Sequence, residues 1–394
     1  MARKGFAHIR YRNAEDLGNA YLAAFPQPPY TLSTYQNNDA NKFSFGLQQF
    51  VYFYVDMWYL TQDNAWIGLA CDTCDYMISK CDSQRVLDGE ITITALNNPS
   101  LATDYYQAPY PYQINGTPVP GWSSQDGSGG KQRVQILSDG QIIGAMAVLA
   151  DCILDHSQDL SAYTAKANTY MAKVAQVLES HNNSWVYNKV SAQPDMTVPG
   201  SYYYPAMDGG NYTYTYILAF NHSCGALQAG LLYDKHVGNA EYVNKAEAFM
   251  AFMRTDLARQ EVGERYFWPY VIENPAVSED LNHGAYEFQL FKVAYDNNYL
   301  NISVDELTRY AKSAVNAWLD NGLVGQAAER FDGTGLLPDA ETFDPSQYVW
   351  LSAFEPDLFK MCRDLVGTYH LDLYANVYSA YSRILRYKPD GIIY

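Results

Sequence analysis

What most restricts the fold of this chain is a unit that recurs along it. Each copy has an apolar helix pattern containing Gly or Ala, a break near Asp or Gly, and a second helix opening with an aromatic residue followed four positions later by Ala. The first copy is KFSFGLQQFVYFYVDMWYLTQ, Asp63, then AWIGLACDTCDYMISK. The second is GQIIGAMAVLADCILD with LSAYTAKANTYMAKVAQVLE, and the third is ILAFNHSCGALQAGLLYDK with AEYVNKAEAFMAFM. The opening pairs are Trp66 with Ala70, Tyr163 with Ala167 and Tyr242 with Ala246. Two looser copies follow, GAYEFQLFKVAYDNN with VDELTRYAKSAVNAWL, and a terminal pair around YVWLSAF and LYANVYSAYSRIL. One helical hairpin cannot bury its apolar faces alone, whereas several arranged around an axis can. The fold expected is therefore all-α, an (α/α)6 or (α/α)7 toroid with long irregular rim loops. An open helical solenoid is the second choice, because the copies do not keep a strict period.

At 394 residues the chain can bury a large core, and no long Gly- or Pro-rich linker divides it. Residues 1–41, with PQPPY and a polar Tyr/Asn stretch but no clear periodicity, are expected to form an N-terminal arm or lid, or a surface wrap. Residues 42–394 are expected to form a single toroid domain. No run reads as long and apolar enough to span a bilayer.

Charge narrows the partners. The chain has 26 Lys and Arg against 43 Asp and Glu, a formal charge of -17. That balance argues against nucleic acid and against an anionic membrane surface. A polyanionic sugar stays compatible with it wherever a few basic residues focus a local field. Sequons at Asn115, Asn182, Asn211 and Asn301, with a Tyr-rich, Lys-poor composition, favour a secreted or periplasmic protein, although the first residues do not read as a signal peptide. Cys71, Cys74 and Cys81 cluster in an amphipathic helix pattern; CDTC has the spacing of a zinc or redox half-site, but no second CxxC or nearby His completes it. A local disulfide or plain buried thiols are expected there, and Cys152, Cys224 and Cys362 read as small core residues.

Polar residues suited to chemistry gather between Asn211 and Glu287. Asn221 and His222 fall in the middle of an apolar helix pattern. Arg265, Trp268 and Tyr270 lie in ERYFWPY, and Glu279, Asp280, Asn282 and His283 open a further helical run that includes Tyr286. Asn, His, Arg and Tyr side chains can orient a carboxylate, take a proton and return one without a metal. The structural alternative is that Asn221 and His222 are buried polar residues bridging helices. Two insertions mark an expected functional rim. Residues 82–134 carry TDYYQAPYPYQ and end in Lys131 and Arg133, and residues 185–216 carry Tyr202, Tyr203 and Tyr204. Aromatic rings there can stack on sugar faces, whereas Tyr52, Tyr54 and Tyr59 read as helix packing.

FNHSCGALQAGLLYDKHVGNAEYVNKAEAF, YFWPY, SEDLNHGAYEF and FDGTGLLPD resemble the successive motifs of bacterial α/α-toroid polysaccharide lyases that degrade uronans, glucuronan and alginate lyases of polysaccharide lyase family thirty-eight in particular. An Asn-His pair followed by Arg and Tyr also resembles the wider set of toroid alginate, chondroitin and heparin lyases. The resemblance runs loosely over 42–385 and is specific at Asn221-His222 and at Glu279 through His283. It implies cleavage of an acidic polysaccharide by β-elimination: the uronate carboxylate is neutralised, the C5 proton leaves, and O4 departs with a proton. Asn221 then matches the Asn that supports the carboxylate, His222 its neighbour, Tyr270 the motif Tyr, and Glu279 and His283 the acidic and His positions of an EDxSHG string.

Two positions depart from that pattern. Pro269 stands where the family commonly has Arg, which leaves the role to Arg265, and Phe45-Gly46-Leu47 stands where it has Trp-Gly-Glu. Asn221, His283 and Arg265 are candidate donors to the carboxylate, His222 or Tyr270 the candidate base, and Tyr270 the candidate acid. Tyr202, Tyr203, Tyr204, Trp268, Glu279, Tyr286, Lys131 and Arg133 are candidate substrate contacts. No cofactor is expected for the chemistry, though the FDGTG loop around Asp332 offers oxygen ligands for a structural calcium. Competing readings are a toroid glycoside hydrolase, which needs two carboxylates across the scissile bond, a uronate epimerase, and a noncatalytic carbohydrate-binding toroid.

Overall fold

The structure is a computed structural model that describes residues 11–36, 40–90, 113–114, 117–118, 120–126, 131–190, 197–208, 211–256, 258–270, 272, 277–319, 330–332, 334–335, 345–368 and 374–388. Helices dominate it. In chain order they are α1 (Ala14–Ala24), α2 (Gln48–Thr61), α3 (Asn64–Ser79), α4 (Asp82–Leu87), α5 (Ile136–Asp155), α6 (Thr164–Ser180), α7 (Phe220–Val237), α8 (Ala240–Met253), α9 (Leu281–Asp296), α10 (Val304–Leu319), α11 (Asp357–Thr368) and α12 (Tyr374–Arg386). Helices are present at the expected pairs α2/α3, α5/α6, α7/α8 and α9/α10, but the terminal pair needs correction: YVWLSAF falls on a 3-10 stretch, Pro345–Ala353, and the helix before α12 is α11, which the sequence reading did not include.

Two other sequence readings need correction. The stretch before residue 42 contains a helix: Asn13 caps α1 by accepting the Asp16 amide at 2.8 Å, and Leu17 and Tyr21 are buried. The segment Asn211–Ile217 is a strand, so Asn221 and His222 sit in the first turn of α7 and not in its middle. Its alternation, YTYTYI, has the period of two that a strand needs.

The rim insertions carry small antiparallel sheets. β1 (Gln113–Ile114) pairs with β2 (Thr117–Pro118), and β3 (Ser123–Asp126) with β4 (Lys131–Val134). β6 (Thr197–Asp208) is central between β5 (Trp185–Val190) and β7 (Asn211–Ile217), and β8 (Gln260–Val262) forms a hairpin with β9 (Arg265–Phe267).

The chain divides into two compact units. One comprises Gln27–Val51 and Ile67–Met253. Its centre is α5, packed on α6 and α7. α5 is also long and apolar enough to cross a membrane, contrary to the sequence reading, but its apolar window is 83% buried within the protein. The α5–α7 contact needs residues without side chains. A Cβ on Gly225 would stand 2.7 Å from the Gly140 carbonyl carbon, and one on Gly140 would stand 2.8 Å from the Ala226 nitrogen. The other unit comprises Met1–Pro26, Tyr52–Trp66 and Arg254–Tyr394. One aromatic cluster, Tyr21, Phe25, Phe53, Tyr54, Trp66 and Tyr378, joins α1 to α12 and to the α2–α3 turn. A second, of Trp268, Phe288, Tyr310, Phe331 and Tyr348, lies beneath the start of α9.

A Gly225→Ala variant tests the helix contact. The methyl meets backbone that cannot rotate away, so unfolding in denaturant should show a loss of about 1–3 kcal/mol, the usual cost of overpacking. A change within about 0.5 kcal/mol, the range of ordinary surface substitutions, would contradict the close approach.

Candidate functional site

In the second of these units three extended segments meet at the start of α9. The Tyr270 amide donates to the Val277 carbonyl at 3.1 Å and the Glu279 amide to the Trp268 carbonyl at 2.7 Å, so Trp268–Tyr270 runs antiparallel to Val277–Glu279. On the other side the Phe331 amide donates to the Glu279 carbonyl at 3.2 Å and Arg330 Nη1 to the Ser278 carbonyl at 2.8 Å. Residues 277–280 are thus held on both edges before the chain turns into the helix. Gly284 allows Phe331 against the first turn, since a Cβ there would lie 2.6 Å from the Phe331 ring, and the Tyr348 hydroxyl donates to the Leu281 carbonyl.

Asp280 is the N-cap of α9. Its Oδ1 accepts the Asn282 and His283 amides, both at 2.9 Å, and its Oδ2 lies 2.5 Å from His283 Nδ1. One carboxylate therefore serves the helix start and the imidazole three residues on. Burial works against charge on both members of this pair, but their mutual hydrogen bond and attraction prevail: His283 is raised and Asp280 lowered from their ordinary values. The pair is partly open, with side-chain exposures of 36% for His283 and 17% for Asp280. The Tyr270 ring lies over the imidazole, with centroids 4.8 Å apart and planes at 37°.

Behind this face are two fully buried carboxyls, Glu279 and Glu287. Glu279 Oε1 accepts the Asp280 amide at 2.9 Å, while Glu279 Oε2 and both Glu287 oxygens make no hydrogen bond of ordinary geometry among the described residues. The Glu287 carboxyl is close to Glu279 and to the Trp268 indole. Burial raises both carboxyls, Glu279 well above the carboxylate range with further repulsion from Glu287 and Asp280, and Glu287 to about 8. Burial thus favours the neutral form of two acids beside the Asp280–His283 pair.

Tyr270, Glu279, Asp280 and His283 are brought together here. Arg265 is half-buried in β9, with its guanidinium over the Phe267 ring. Several expected sugar contacts are instead packed inside. Trp268 is 2% exposed and Tyr286 7%, and Glu279 has no exposed surface. Tyr202 and Tyr203 are each 1% exposed, because they lie in the central strand of a sheet that packs on α8. They are core residues, and the expectation of exposed loop tyrosines is corrected at both. Tyr204, Lys131 and Arg133 are placed only as strand positions, their side chains lying outside the described residues, as does most of the 82–134 insertion. Asn221 and His222 belong to the other unit, where Asn221 is 1% exposed and its Oδ1 has no partner among the described residues. All six cysteines are buried free thiols, which decides between the two expectations for the cluster.

Two groups have cation-ligand composition. In Glu279, Asp280 and His283 the ligand atoms lie within 4.8 Å of one another, but Asp280 Oδ2 and His283 Nδ1 already bond each other. In Asp151, Asp155 and His236 the Lys235 ammonium sits 2.7 Å from both carboxylates, where a cation would be. Asp332 Oδ1 accepts the Thr334 amide at 2.9 Å and hydroxyl at 2.6 Å, closing its own turn; Gly333 lies outside the described residues.

Sequence reasoning gave Asp280 no role in the elimination and passed over Glu287 and Arg330. Asp280 carried a signal, a capping residue three positions before His283. Glu287, four residues beyond His283, carried one only as a charge inside an apolar helix. Arg330 arrives from a distant segment, and nothing local announces it.

Asp280→Asn separates the cap from the charge, since Asn caps helices about as well. The His283 imidazole, followed by NMR, should titrate at lower pH in the variant while helix content is kept; an unchanged titration would contradict the pairing. Glu287→Gln tests the buried acid. Between the ordinary value of 4.5 and about 8 the folded protein holds a proton that the unfolded chain has lost, so stability should fall as pH rises through this window. The Gln variant should lose less stability from pH 5 to pH 9 than the unmodified protein, and parallel curves would place the carboxyl in water.

Compared with protein-family models, curated proteins and solved structures, the chain matches none.

Proposed function

We propose that this protein is a polysaccharide lyase that cleaves a uronic-acid polymer by β-elimination, with Tyr270, His283 and Asp280 as its proton-handling group. The observation that carries this reading is the Asp280–His283 pair on a partly open surface with the Tyr270 ring against the imidazole. Removing the C5 proton builds negative charge on the uronate carboxylate, and donors already in place lower the cost of that charge. A His283 imidazolium held by Asp280 is such a donor. It also sets positive charge beside Tyr270, as a tyrosine acting as base requires. Tyr270 takes the C5 proton and returns it to O4 where the two lie on one face of the ring; where they lie on opposite faces, it serves as the acid alone.

The neutral Glu279 and Glu287 suit a polyanionic substrate. Were both ionised, three carboxylates would outweigh His283 and the nearby Arg330. With both protonated, His283 and the nearby Arg330 outweigh the single charge of Asp280. The same pair weighs against the hydrolase reading. Hydrolysis places two carboxyls on either side of a glycosidic bond, about 5–9.5 Å apart, and two carboxyls with no exposed surface cannot flank a sugar.

The test is incubation with polyglucuronate, polymannuronate and polyguluronate, following ultraviolet absorbance from a new C4–C5 double bond. Absorbance should rise with at least one polymer. Reducing ends without absorbance would mean hydrolysis, and no product from any uronan with folded protein would overturn the reading. Tyr270→Phe should keep the fold and lower turnover by about 10²–10⁴-fold, the range for a positioned acid or base. A wild-type rate would remove Tyr270 from the proton path.

A further inference from the structure

Between the end of α3 and the middle of α6 a lysine and a cysteine meet in direct contact. Lys173 Nζ lies 3.1 Å from Cys81 Sγ. Cys81 is 1% exposed and Lys173 6%. A buried ammonium is normally matched by a carboxylate, yet among the described residues none pairs with Lys173; its other neighbour is the Trp122 ring, 5.5 Å from Nζ. The thiol also touches the Ser83 hydroxyl at 3.3 Å. The Lys173 ammonium thus has a sulfur atom at hydrogen-bond distance inside the protein.

We propose that Cys81 and Lys173 form an oxidative modification site, at which hydrogen peroxide joins the two side chains through one oxygen as a reversible N–O–S cross-link. The geometry favours a bridging atom over a direct bond. A bond between sulfur and nitrogen would be shorter than the S–S bond of about 2.04 Å, so the atoms would have to close by more than about an ångström in a close-packed interior. With an oxygen between them they need close much less.

The balance runs through two peroxides. The first oxidises the thiol to Cys81–SOH and leaves as water. The second oxidises the Lys173 amine, after loss of its ammonium proton, to the hydroxylamine, again leaving water. The hydroxylamine oxygen then bonds to sulfur as the sulfenic hydroxyl departs with a proton as the third water. Sulfur and nitrogen each give up two electrons, and the four reduce two peroxides. Peroxide is little larger than water and reaches such a site through local opening. The product ties residues 92 apart in sequence, and four equivalents of a reducing thiol, becoming two disulfides, break the S–O and N–O bonds and return the amine, the thiol and one water.

The experiment treats the full chain with graded peroxide, alkylates free thiols without reductant, and maps peptides by mass spectrometry. The expected species joins the Cys81 and Lys173 peptides with a gain of one oxygen and a loss of two hydrogens. It should vanish on reduction and be absent from Lys173→Arg, which keeps charge and length without a primary amine. Mapping of the unmodified sequence decides the matter even if that variant folds poorly. Cys81 recovered as sulfinic acid beside a free Lys173, Cys81 in a disulfide, or Cys81 still alkylated after the other thiols have oxidised would each overturn the proposal.

Discussion

The start of α9 depends on one carboxylate. Asp280 caps the helix through two backbone amides and holds the His283 imidazole with its other oxygen, so that the geometry of the cap and the charge of the ring are set together. This arrangement concentrates ionised groups at one point and leaves the neighbouring carboxyls no counter-charge of their own. Glu279 and Glu287 are pushed toward their neutral forms by burial and by nearby negative charge. The chemistry proposed for the site follows from that division between an ion pair at the surface and neutral acid behind it.

The surrounding packing holds the division in place. Residues 277–280 are hydrogen-bonded on both edges, and the rings of Trp268 and Phe331 lie 4.6 Å apart next to the buried carboxyls. A rotation of α9 about its axis would break the cap and the aromatic contacts together. In the other unit a comparable constraint is purely steric, with α5 and α7 meeting at Gly140 and Gly225. There too a buried Asp–His contact organises a turn: Asp139 accepts the Trp122 amide at 2.9 Å and lies 2.8 Å from His181 Nε2.

Four helical pairs were legible in the sequence because their helices bury apolar residues at a helical period, whereas the first member of the terminal pair, YVWLSAF, is a 3-10 stretch and α11 went unread. The closed ring inferred from them goes beyond periodicity, which records which face is buried and not what covers it. The site was legible where it is local. Tyr270 and His283 are thirteen residues apart, and the segments that carry them pair antiparallel, so their grouping survived the step into three dimensions. The tyrosines of β6 misled because a Tyr-rich stretch looks alike whether its rings stack on sugar or on a helix; only the pairing of β6 between β5 and β7 buries Tyr202 and Tyr203. Protonation of Glu287 had no sequence signature, since it arises from burial beside residues that distant segments deliver.

The protonation state of the buried acids at neutral pH is the point on which the account turns. Carbon-13 labelling of the glutamate carboxyls, with Glu287→Gln to assign the signal, measures it directly by NMR across a pH titration. The account predicts a Glu287 carboxyl that is still protonated at pH 7 and titrates near pH 8. A Glu287 signal that ionises near 4.5 with the other carboxylates would contradict it, and with it the neutral floor beneath His283 and Tyr270.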